Sequence, residues 1–419
     1  MAGSEGTAPV NVTLTADHVA FAVPADMPVW DVDPYDVGIL CNPEPYYAEL
    51  RARGAFVYIP RYAVLATGRY QSVREVFSDW ERFVSSRGVG LTDFKWRKPW
   101  RPPSIVLEVD PPYHTRTRSV IMRALSLQAI GKMKEMFKAH AESLVAALAE
   151  RRTFDAVPDL AERFPTRVFP QAVGLTDIDA RRLIDYGAMV FNALGPDNAL
   201  RRLWLAKAPE IVPWITAACR RERLRPDGIG ASIYEAADRG EISEEEAGML
   251  VRSLLSAGVD TTVTGIGNSL LCLARNPGAY AQLRADPGLA RAAFEETLRL
   301  TSPVHTFCRT ASCDTEVCGV AIPRDAKILC VLGAANLDPE RWPNPEGFDL
   351  TRRSAGGHLA FGVGIHACVG QLIARAEVDA LLRAIATRVT SIELTGVPLW
   401  RPGNAIRSLE SLPIRFGAP

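Results

Sequence analysis

The sequence predicts a mainly α-helical protein with a large helical body, a small β-rich region and a long central helix. Apolar residues at helical spacing, separated by polar, Gly and Pro breaks, dominate the middle of the chain, whereas strand and turn patterns are confined to two stretches. No internal repeat, low-complexity tract or linker divides the sequence. We therefore expect one domain over residues 1–419, with a short flexible N-terminus over about residues 1–20.

Two stretches have the strand and turn pattern of β-hairpins. In AFVYIPRYAVLATGRY, which begins at Ala55, two β-type runs flank Pro60 and Arg61. In TEVCGVAIPRDAKILCVLGAAN, which spans Thr315–Asn336, the residues Pro-Arg-Asp supply the turn. These two hairpins would form the β-rich region.

Helices are predicted between the hairpins, for example over Lys132–Glu150 and Pro287–Leu300. Asp286 suits the N-cap of the second helix because its side chain can accept a hydrogen bond from a free backbone amide. Pro287 suits the first helical position, where no amide donor is needed.

The clearest helical pattern begins after Ser243, which forms a capping box with Glu246. Acidic residues in the first turn favour the positive end of the helix dipole, and Pro277 stops the helix. The pattern predicts one helix of about thirty residues. Because apolar residues surround it, we expect this helix to be buried and central.

The composition limits the possible functions. Of 419 residues, 47% are hydrophobic and 23% are charged, which is typical of a globular protein with an ample core. Lysine plus arginine equals the acidic residues at 48 each, so no overall charge favours nucleic acid or a membrane. No leader or membrane-spanning pattern is apparent, so we expect a cytoplasmic monomer. The eight cysteines show no zinc or disulfide spacing, and most are expected to be buried thiols.

The stretch FGVGIHACVG, Phe361–Gly370, sets Cys368 among glycines, with His366 two residues before it. Backbone amides around a cysteine can stabilise a thiolate, and glycines let a flat group approach the chain. A phosphate-binding loop is a poor alternative because Lys and Ser/Thr are missing, and an ordinary buried loop is the other alternative. The pattern favours a thiolate ligand for haem iron.

Haem oxygen chemistry needs proton delivery, and SAGVDTT on the central helix suits it. Ala257 and Gly258 leave room for a diatomic molecule, while Asp260 and Thr261 supply an acid and an alcohol. The alternative is that these residues only pack the helix. The haem propionates need cationic or donor partners, for which His114, Arg118, Arg309 and His366 are candidates. Each of the two histidines could equally be an ordinary surface or core residue.

These motifs together resemble the cytochrome P-450 superfamily of haem-thiolate monooxygenases over essentially the whole chain. The resemblance implies the P-450 fold, with the central helix over haem b, and Cys368 as the iron ligand. It assigns proton delivery to Asp260 and Thr261, and contacts with the cofactor to Phe361, Ala257 and Gly258. It also implies a structural lock of the segment before the cysteine loop by ETLR and a later arginine: Glu296, Arg299 and Arg352. The alternative for the helix pair is a routine ion pair.

The same resemblance implies O2 as co-substrate and electrons from NAD(P)H. Because no anchor or fused flavin domain is apparent, the likeness is to the bacterial type served by a ferredoxin and a ferredoxin reductase. An acidic ferredoxin would dock on a basic patch behind the cysteine, for which the candidates are Arg116, Arg123, Lys132, Lys134 and Arg353.

Other segments, including PWRPPS and VFNALGP, resemble the subfamily that oxidises para-substituted benzoic acids, typically by demethylating 4-methoxybenzoate. That likeness implies a substrate carboxylate held by PWRPPS and the central helix, through Arg101, Ser104, Arg252, Ser253 and Ser256. It implies an aromatic ring packed by Phe191, Leu194, Ala257 and Phe307. Ser253 precedes Thr261 by about two helical turns, roughly 12 Å of rise, which separates the anion from the chemistry.

The chain departs from the subfamily pattern at three pocket positions. Leu194 replaces a phenylalanine, and His305 and Cys308 replace a glutamine and a phenylalanine. A roomier or differently polar pocket could accept cinnamates or meta-substituted rings. Two other functions remain as alternatives: a haem-thiolate binding or sensing protein without turnover, and a peroxide-driven fatty-acid peroxygenase. A sensor needs no Asp260-Thr261 pair, and a peroxygenase would favour an arginine there.

Overall fold

The computed structural model describes residues 21–352 and 355–418. Helices dominate these residues and the strands form small sheets, so the predicted fold class is confirmed. The predicted flexible N-terminus and Arg353 of the predicted basic patch lie outside the described residues. Within the two described ranges, no helix combines the length and the apolar character needed to span a bilayer.

The α-helices are, in chain order, α1 (Val37–Cys41), α2 (Glu44–Arg53), α3 (Tyr70–Ser78), α4 (Tyr113–Ala124), α5 (Leu127–Arg151), α6 (Arg163–Val173), α7 (Ala180–Asn192), α8 (Ala199–Leu205), α9 (Ala208–Ala218), α10 (Ile229–Asp238), α11 (Glu244–Gly258), α12 (Asp260–Arg275), α13 (Pro277–Ala285), α14 (Ala290–Thr301), α15 (Leu332–Asn336) and α16 (Gln371–Arg388). Helices α5 and α16 pack along each other, and α12 runs through the core against α6, α7, α14 and α16.

The strands are β1 (Val57–Ile59), β2 (Val64–Thr67), β3 (Phe83–Val84), β4 (Thr153–Asp155), β5 (Thr306–Ala311), β6 (Thr315–Val317), β7 (Val320–Ile322), β8 (Lys327–Val331), β9 (Ile392–Leu394), β10 (Leu399–Arg401), β11 (Ser408–Ser411) and β12 (Pro413–Phe416). The largest sheet has five strands in the order β1-β2-β8-β5-β3, in which β2 and β8 are parallel and the other neighbours are antiparallel. The smaller sheets are β4-β12-β9, β10-β11 and β6-β7.

The predicted single long helix is interrupted at Val259, between α11 and α12. The hydroxyl group of Thr261 donates to the carbonyl oxygen of Ala257 at 2.6 Å, and that of Thr262 donates to Gly258 at 2.9 Å. Side-chain hydroxyls that bond to carbonyls four residues earlier compete with the helical ladder and bend it. The predicted capping box at the start of α11 is present.

Two other local predictions need correction. The Pro-Arg-Asp sequence after Ile322 links β7 to β8, which do not pair with each other. The turn of this hairpin is instead Cys318-Gly319, between β6 and β7, where both residues have positive φ. Pro287 begins a short 3₁₀ turn rather than an α-helix, and the helix itself begins at Ala290. The predicted cap is present, because the Asp286 side chain accepts from the Gly288 amide. The first predicted hairpin, β1-β2, is confirmed.

Candidate active site

The Phe361–Gly370 loop leads into α16 and holds Cys368 near the start of that helix. The Cys368 amide donates to the Phe361 carbonyl oxygen at 2.7 Å, which closes the loop. Gly364 has a φ of +76°, and a Cβ there would lie 2.6 Å from the carbonyl oxygen of Phe77. Only glycine therefore fits this turn.

The thiol of Cys368 is surrounded by donors and positive charge. Burial raises its pKa, whereas the amide of Gly370 and the charge of Arg118 oppose that rise. A metal ion bound to the sulfur would complete the stabilisation of the thiolate. The other cysteines lie elsewhere: Cys219, Cys272, Cys308 and Cys330 are buried, Cys41 is half-buried, and Cys313 and Cys318 are exposed.

Two features of the structure fit a large planar anionic group. Ala257 is exposed and Thr261 is half-buried, although Val259 and Asp260 between them are buried. The Nε2 atom of His114 is buried and has no hydrogen-bond partner among the described residues. An open face on a core helix and an unpartnered buried donor or acceptor suit haem and its carboxylates.

The four candidate propionate ligands come together around the cysteine loop. The rings of His114 and His366 have centroids 4.3 Å apart. Arg118, one turn after His114 on α4, donates to the carbonyl oxygen of Ala367. Burial lowers the pKa of His366, and the charges of Arg309 and Arg118 act in the same direction. Two arginines and two imidazoles therefore face one region.

Asp110 belongs to this region and was not identified from the sequence. Its two oxygens accept from the amides of Ser85 and Ser86 at 2.9 and 3.1 Å. Although burial opposes ionisation, the nearby imidazole of His366, whose Nε2 lies 3.9 Å from Oδ1, and the hydrogen bonds from the serines lower the pKa of Asp110 to about 2. Burial lowers the pKa of His114 to about 4.

Phe361, at the start of the loop, is held by an ion-pair cluster. The guanidinium group of Arg375 lies over its ring, 4.5 Å from the centroid. Arg375 also pairs with Glu295, which contacts His358 at 3.1 Å. Burial opposes ionisation of Glu295, but its hydrogen bonds to His358 and Arg375 lower its pKa to about 2.

The structure places Asp260 and Thr261 at the start of α12, next to the interruption. Asp260 is 2% exposed, and its Oδ1 lies 3.5 Å from the Nη2 of Arg401. Burial raises the pKa of Asp260, and the charge of Arg401 lowers it. Arg401, on β10, was missed because no sequence pattern joins it to Asp260. Gly258 is half-buried, and a Cβ there would clash with the ring of Phe169, so its missing side chain makes room for that ring and not, as expected, for a diatomic molecule.

Glu296, Arg299 and Arg352 are in direct contact. The Nε and Nη2 atoms of Arg299 donate to Glu296 at 2.8 Å each, and the Nε of Arg352 donates to it at 2.9 Å. Glu296 and Arg299 are fully buried. The two guanidinium groups also donate to carbonyl oxygens of Asn336, Pro343, Asn344, Pro345 and Gly347. The ion pair of the helix is thus also bonded to the segment before the cysteine loop.

Arg101, a predicted carboxylate ligand, already has an acidic partner. Its Nη1 lies 2.9 Å from Oε2 of Glu108, and the two side chains are 13% and 4% exposed. The amide of Ser104 donates to the same oxygen at 2.7 Å, and the hydroxyl of Ser104 accepts from Leu107. Glu108 was not identified from the sequence. Its only signal there is that an acidic residue follows PWRPPS by four positions. The charge of Arg101 is therefore partly neutralised.

The charges of Arg252 and Arg101 both lie near enough to Tyr186, on α7, to affect its pKa. Burial raises the pKa of Tyr186, and the charges of Arg252 and then Arg101 oppose this. The hydroxyls of Ser253 and Ser256 donate to helix carbonyls at 2.8 and 3.0 Å, so they must rotate to donate to a ligand. No acidic side chain of the described ranges pairs with Arg252.

Three of the four predicted ring contacts share one apolar cluster, whereas Ala257 is exposed on α11 and does not belong to it. The cluster contains Phe191, Leu194, Val304, Phe307, Ala405 and Ile406. Cys308 is not part of it: β5 alternates, so Cys308 faces away from Phe307 and packs with residues such as Tyr35. His305 is buried, with its Nε2 3.2 Å from the carbonyl oxygen of Gly403. Of the three departures from the subfamily pattern, Leu194 therefore bears most directly on the ring cluster.

The predicted basic patch is less positive than the sequence suggests. Arg116 pairs with Glu246 at 2.7 Å, and Arg123 pairs with Glu241. Lys132 and Lys134 are exposed on α5. Because their acidic partners are distant in sequence, the sequence alone did not show that the charges of Arg116 and Arg123 are paired.

The sequence and structure match known proteins over most of their length. The family model for cytochrome P450 matches residues 218–287 and 288–389. The chain is 46% identical over 413 residues, 98% of this chain and 99% of the relative, to cytochrome P450 CYP199A2 of Rhodopseudomonas palustris.

Two solved structures have the same fold. Cytochrome P450 CYP109Q5 from Chondromyces apiculatus has a TM-score of 0.78 at 29% identity, covering 93% of this chain and 99% of that one. Cytochrome P450 CREJ in complex with (4-ethylphenyl) dihydrogen phosphate has a TM-score of 0.81 at 26% identity, covering 92% and 99%. The chain therefore belongs to the cytochrome P450 family of haem-thiolate monooxygenases, which use O2 and electrons from redox partners.

Proposed function

We propose that this monooxygenase oxidises small aromatic carboxylic acids, with para-substituted benzoic acids such as 4-methoxybenzoate as substrates. The reaction is O-demethylation or hydroxylation at the para substituent. The observation that carries the proposal is Arg252, a half-buried cation without an acidic partner in the described ranges, on a helix that packs against α7. A carboxylate would bind this cation, and the ring would pack on Phe191, Leu194 and Phe307.

Arg101 contributes a second, partly neutralised cation to the same anion site. With Glu108 included, the three side chains carry one net positive charge, which matches one carboxylate. Ser104, Ser253 and Ser256 would add hydrogen bonds after their hydroxyls rotate. The likeness to the benzoate-oxidising subfamily supports this site. The ligand in the solved CREJ complex, (4-ethylphenyl) dihydrogen phosphate, also carries an acidic group on a para-substituted ring.

Cys368 would supply the thiolate that binds haem iron, and Phe361 would pack beside the cofactor. The propionates would bind the groups around His366: His114, Arg118 and Arg309. Bound haem supplies the activation of O2 for transfer of one oxygen atom to the substrate. Ala257, which is exposed on α11, would leave space beside the cofactor, whereas Gly258 makes room for the ring of Phe169.

Asp260 and Thr261 form the proposed route for protons. Arg401 is 24% exposed and contacts buried Asp260, so this carboxyl can exchange its proton near solvent. The Thr261 hydroxyl, half-buried beside Ala257, would pass the proton to the reaction site. Glu296, Arg299 and Arg352 hold the segment before the cysteine loop and take no chemical part.

A ferredoxin and its NAD(P)H-dependent reductase are the proposed electron donors, and the protein would act as a cytoplasmic monomer. Lys134 lies in a groove with Leu372 and Arg375 of α16, the helix that follows Cys368. An acidic partner near this groove would be close to the thiolate side of the haem.

Cinnamates and meta-substituted benzoates are the second candidate class. Leu194 favours them, because it stands in the ring cluster where the subfamily has the larger phenylalanine. A pocket with more room would accept a longer or bent substrate.

Product analysis tests the proposed function. Enzyme, ferredoxin, reductase, NADH and O2 should convert 4-methoxybenzoate to 4-hydroxybenzoate and formaldehyde, with one NADH oxidised for each product. The neutral 4-methoxybenzamide is the matched control and should yield little product, because it leaves Arg252 without an anion. Turnover of the amide at the rate of the acid would contradict the proposal.

A further inference from the structure

Lys327, the first residue of β8, is fully buried, and four backbone carbonyls converge on its ammonium group. Its Nζ lies 3.1 Å from the oxygens of Arg87 and Gly88 and 3.2 Å from those of Gly90 and Thr92. Burial lowers the pKa of Lys327, but a neutral amine has only two N–H donors for these four oxygens. An ammonium group has three donors, one of which can be shared between two oxygens, so the contacts favour the ammonium form. Four oxygens at similar distances resemble the coordination of a bound cation.

The segment that supplies these carbonyls lies against both sides of the ring cluster. The amide of Leu91 donates to the carbonyl oxygen of Leu194 at 2.9 Å, and the amide of Cys308 donates to that of Val89 at 2.7 Å. Leu194 is itself a member of the cluster, and Cys308 follows Phe307, another member, on β5. The position of residues 87–92 therefore affects the positions of Leu194 and of β5, which carries Phe307.

A second set of charges holds the ends of the same segment. Arg87 donates from Nε to Asp93 at 2.8 Å and also pairs with Asp325, two residues before Lys327. Asp93 is 1% exposed. The ion pairs connect the ends of the segment to the start of β8, but they do not reach the carbonyls in its middle. Those carbonyl dipoles point at one centre and repel one another unless a cation lies there.

We propose that Lys327 is a positioning residue. Its ammonium group acts as a built-in monovalent cation that fixes residues 87–92, and these residues support the ring cluster that would bind the substrate. The proposal rests on the proposed function for the identity of the substrate. It has a chemical consequence: truncation of the side chain leaves a carbonyl-lined site of the kind that binds K⁺. Added K⁺ or NH₄⁺ should then replace the lost ammonium group.

The test is the affinity of Lys327→Ala for 4-methoxybenzoate, measured by the haem spin-state shift at constant ionic strength. In choline chloride, whose cation is too large for the site, we expect affinity to fall about tenfold or more relative to wild type. In KCl or NH₄Cl most of that loss should be recovered, while the wild type responds to none of these salts. Unchanged affinity in choline, or equal affinity in all three salts, overturns the proposal.

Lys327→Gln is the second variant, because its amide fills the site and keeps two N–H donors without charge. We expect weak binding that no salt restores. Affinity equal to that of the wild type would show that the charge is unnecessary, and would overturn the proposal even if Lys327→Ala does not fold. Hydrogen exchange of residues 87–92 gives a direct readout, since K⁺ should protect these amides in Lys327→Ala only.

A titration with 4-phenylimidazole separates this proposal from the proposed function. This ligand coordinates haem iron through its nitrogen and needs no carboxylate site. If the wild type fails to bind 4-methoxybenzoate, the proposed substrate is wrong, and the salt response is still measured with 4-phenylimidazole. If the wild type binds the acid but Lys327→Ala shows no salt response with either ligand, only the role of Lys327 is wrong.

Discussion

The carboxylate of Asp260 lies 3.5 Å from the guanidinium group of Arg401, 141 residues further along the chain. Asp260 is buried at the start of α12, where burial raises its pKa and the charge of Arg401 lowers it. Arg401 is more exposed than its partner. The pair thus links a buried acid beside the interrupted central helix to the outside of the protein.

Substituting Arg401→Gln should move the alkaline limb of the pH profile of turnover to higher pH, because Asp260 delivers protons only in its protonated form. Loss of the cation removes the influence that lowers the pKa of Asp260, so more of the carboxyl stays protonated at any given pH. Asp260→Asn should remove this limb and slow turnover by roughly a hundredfold, the scale of general acid–base catalysis. Arg401→Lys retains a charge and should keep most of the wild-type profile. Identical profiles in all four proteins would rule out the relay.

Substituting Thr261→Ala should uncouple NADH oxidation from product formation. Without the hydroxyl, proton delivery to the reaction site is no longer controlled, so electrons from NADH reduce O2 to hydrogen peroxide in place of forming product. Thr262→Ala is the matched control, because its hydroxyl also bonds to a helix carbonyl but its side chain is buried. Product, peroxide and NADH are measured together. Equal coupling in both variants would contradict the role of Thr261.

Substituting Cys368→Ser should abolish the strongly red-shifted Soret band of the ferrous carbonyl form. The band requires a thiolate opposite carbon monoxide, and serine does not supply one. Cys313→Ser, at an exposed cysteine, should retain the band and controls for the loss of a thiol. Survival of the band in Cys368→Ser would show that another residue ligates the iron.

The sequence predicted the site best where a motif is local. The cysteine loop, the acid–alcohol pair and the Glu296–Arg299 pair each lie within one short segment, so spacing alone showed that their members meet. The capping box at Ser243 was predictable for the same reason. The likeness to a known family also identified distant members such as Arg352.

The remaining partners depend on tertiary packing. Arg401 reaches Asp260 across the fold, and four carbonyls from one loop meet Lys327 from β8, without any pattern in the sequence. The interruption at Val259 was missed because helical periodicity continues through it, and only the threonine hydroxyl bonds reveal the competing interaction. The pairing of Arg101 with Glu108 changed the expected anion site, since burial of both groups could not be inferred.

The proposed carboxylate site predicts a difference between two arginine variants. Arg252→Ala removes the unpaired cation and should weaken binding of 4-methoxybenzoate by about 1.5–3 kcal/mol, or roughly ten- to a hundredfold. Arg101→Ala should weaken it further, because Glu108 is then left buried and unpaired beside the substrate. Adding Glu108→Gln to Arg101→Ala should recover part of that loss. Haem content should be unchanged in each protein.

The most direct test of the carboxylate site is a spin-state titration of wild type and Arg252→Ala with 4-methoxybenzoate and with 4-methoxybenzamide. The acid should bind the wild type roughly ten- to a hundredfold more tightly than the amide does, because only the acid pairs with the cation. In Arg252→Ala the affinity of the acid should fall toward that of the amide, which itself should change little. Equal affinities of acid and amide for the wild type would contradict the proposed recognition of aromatic carboxylates.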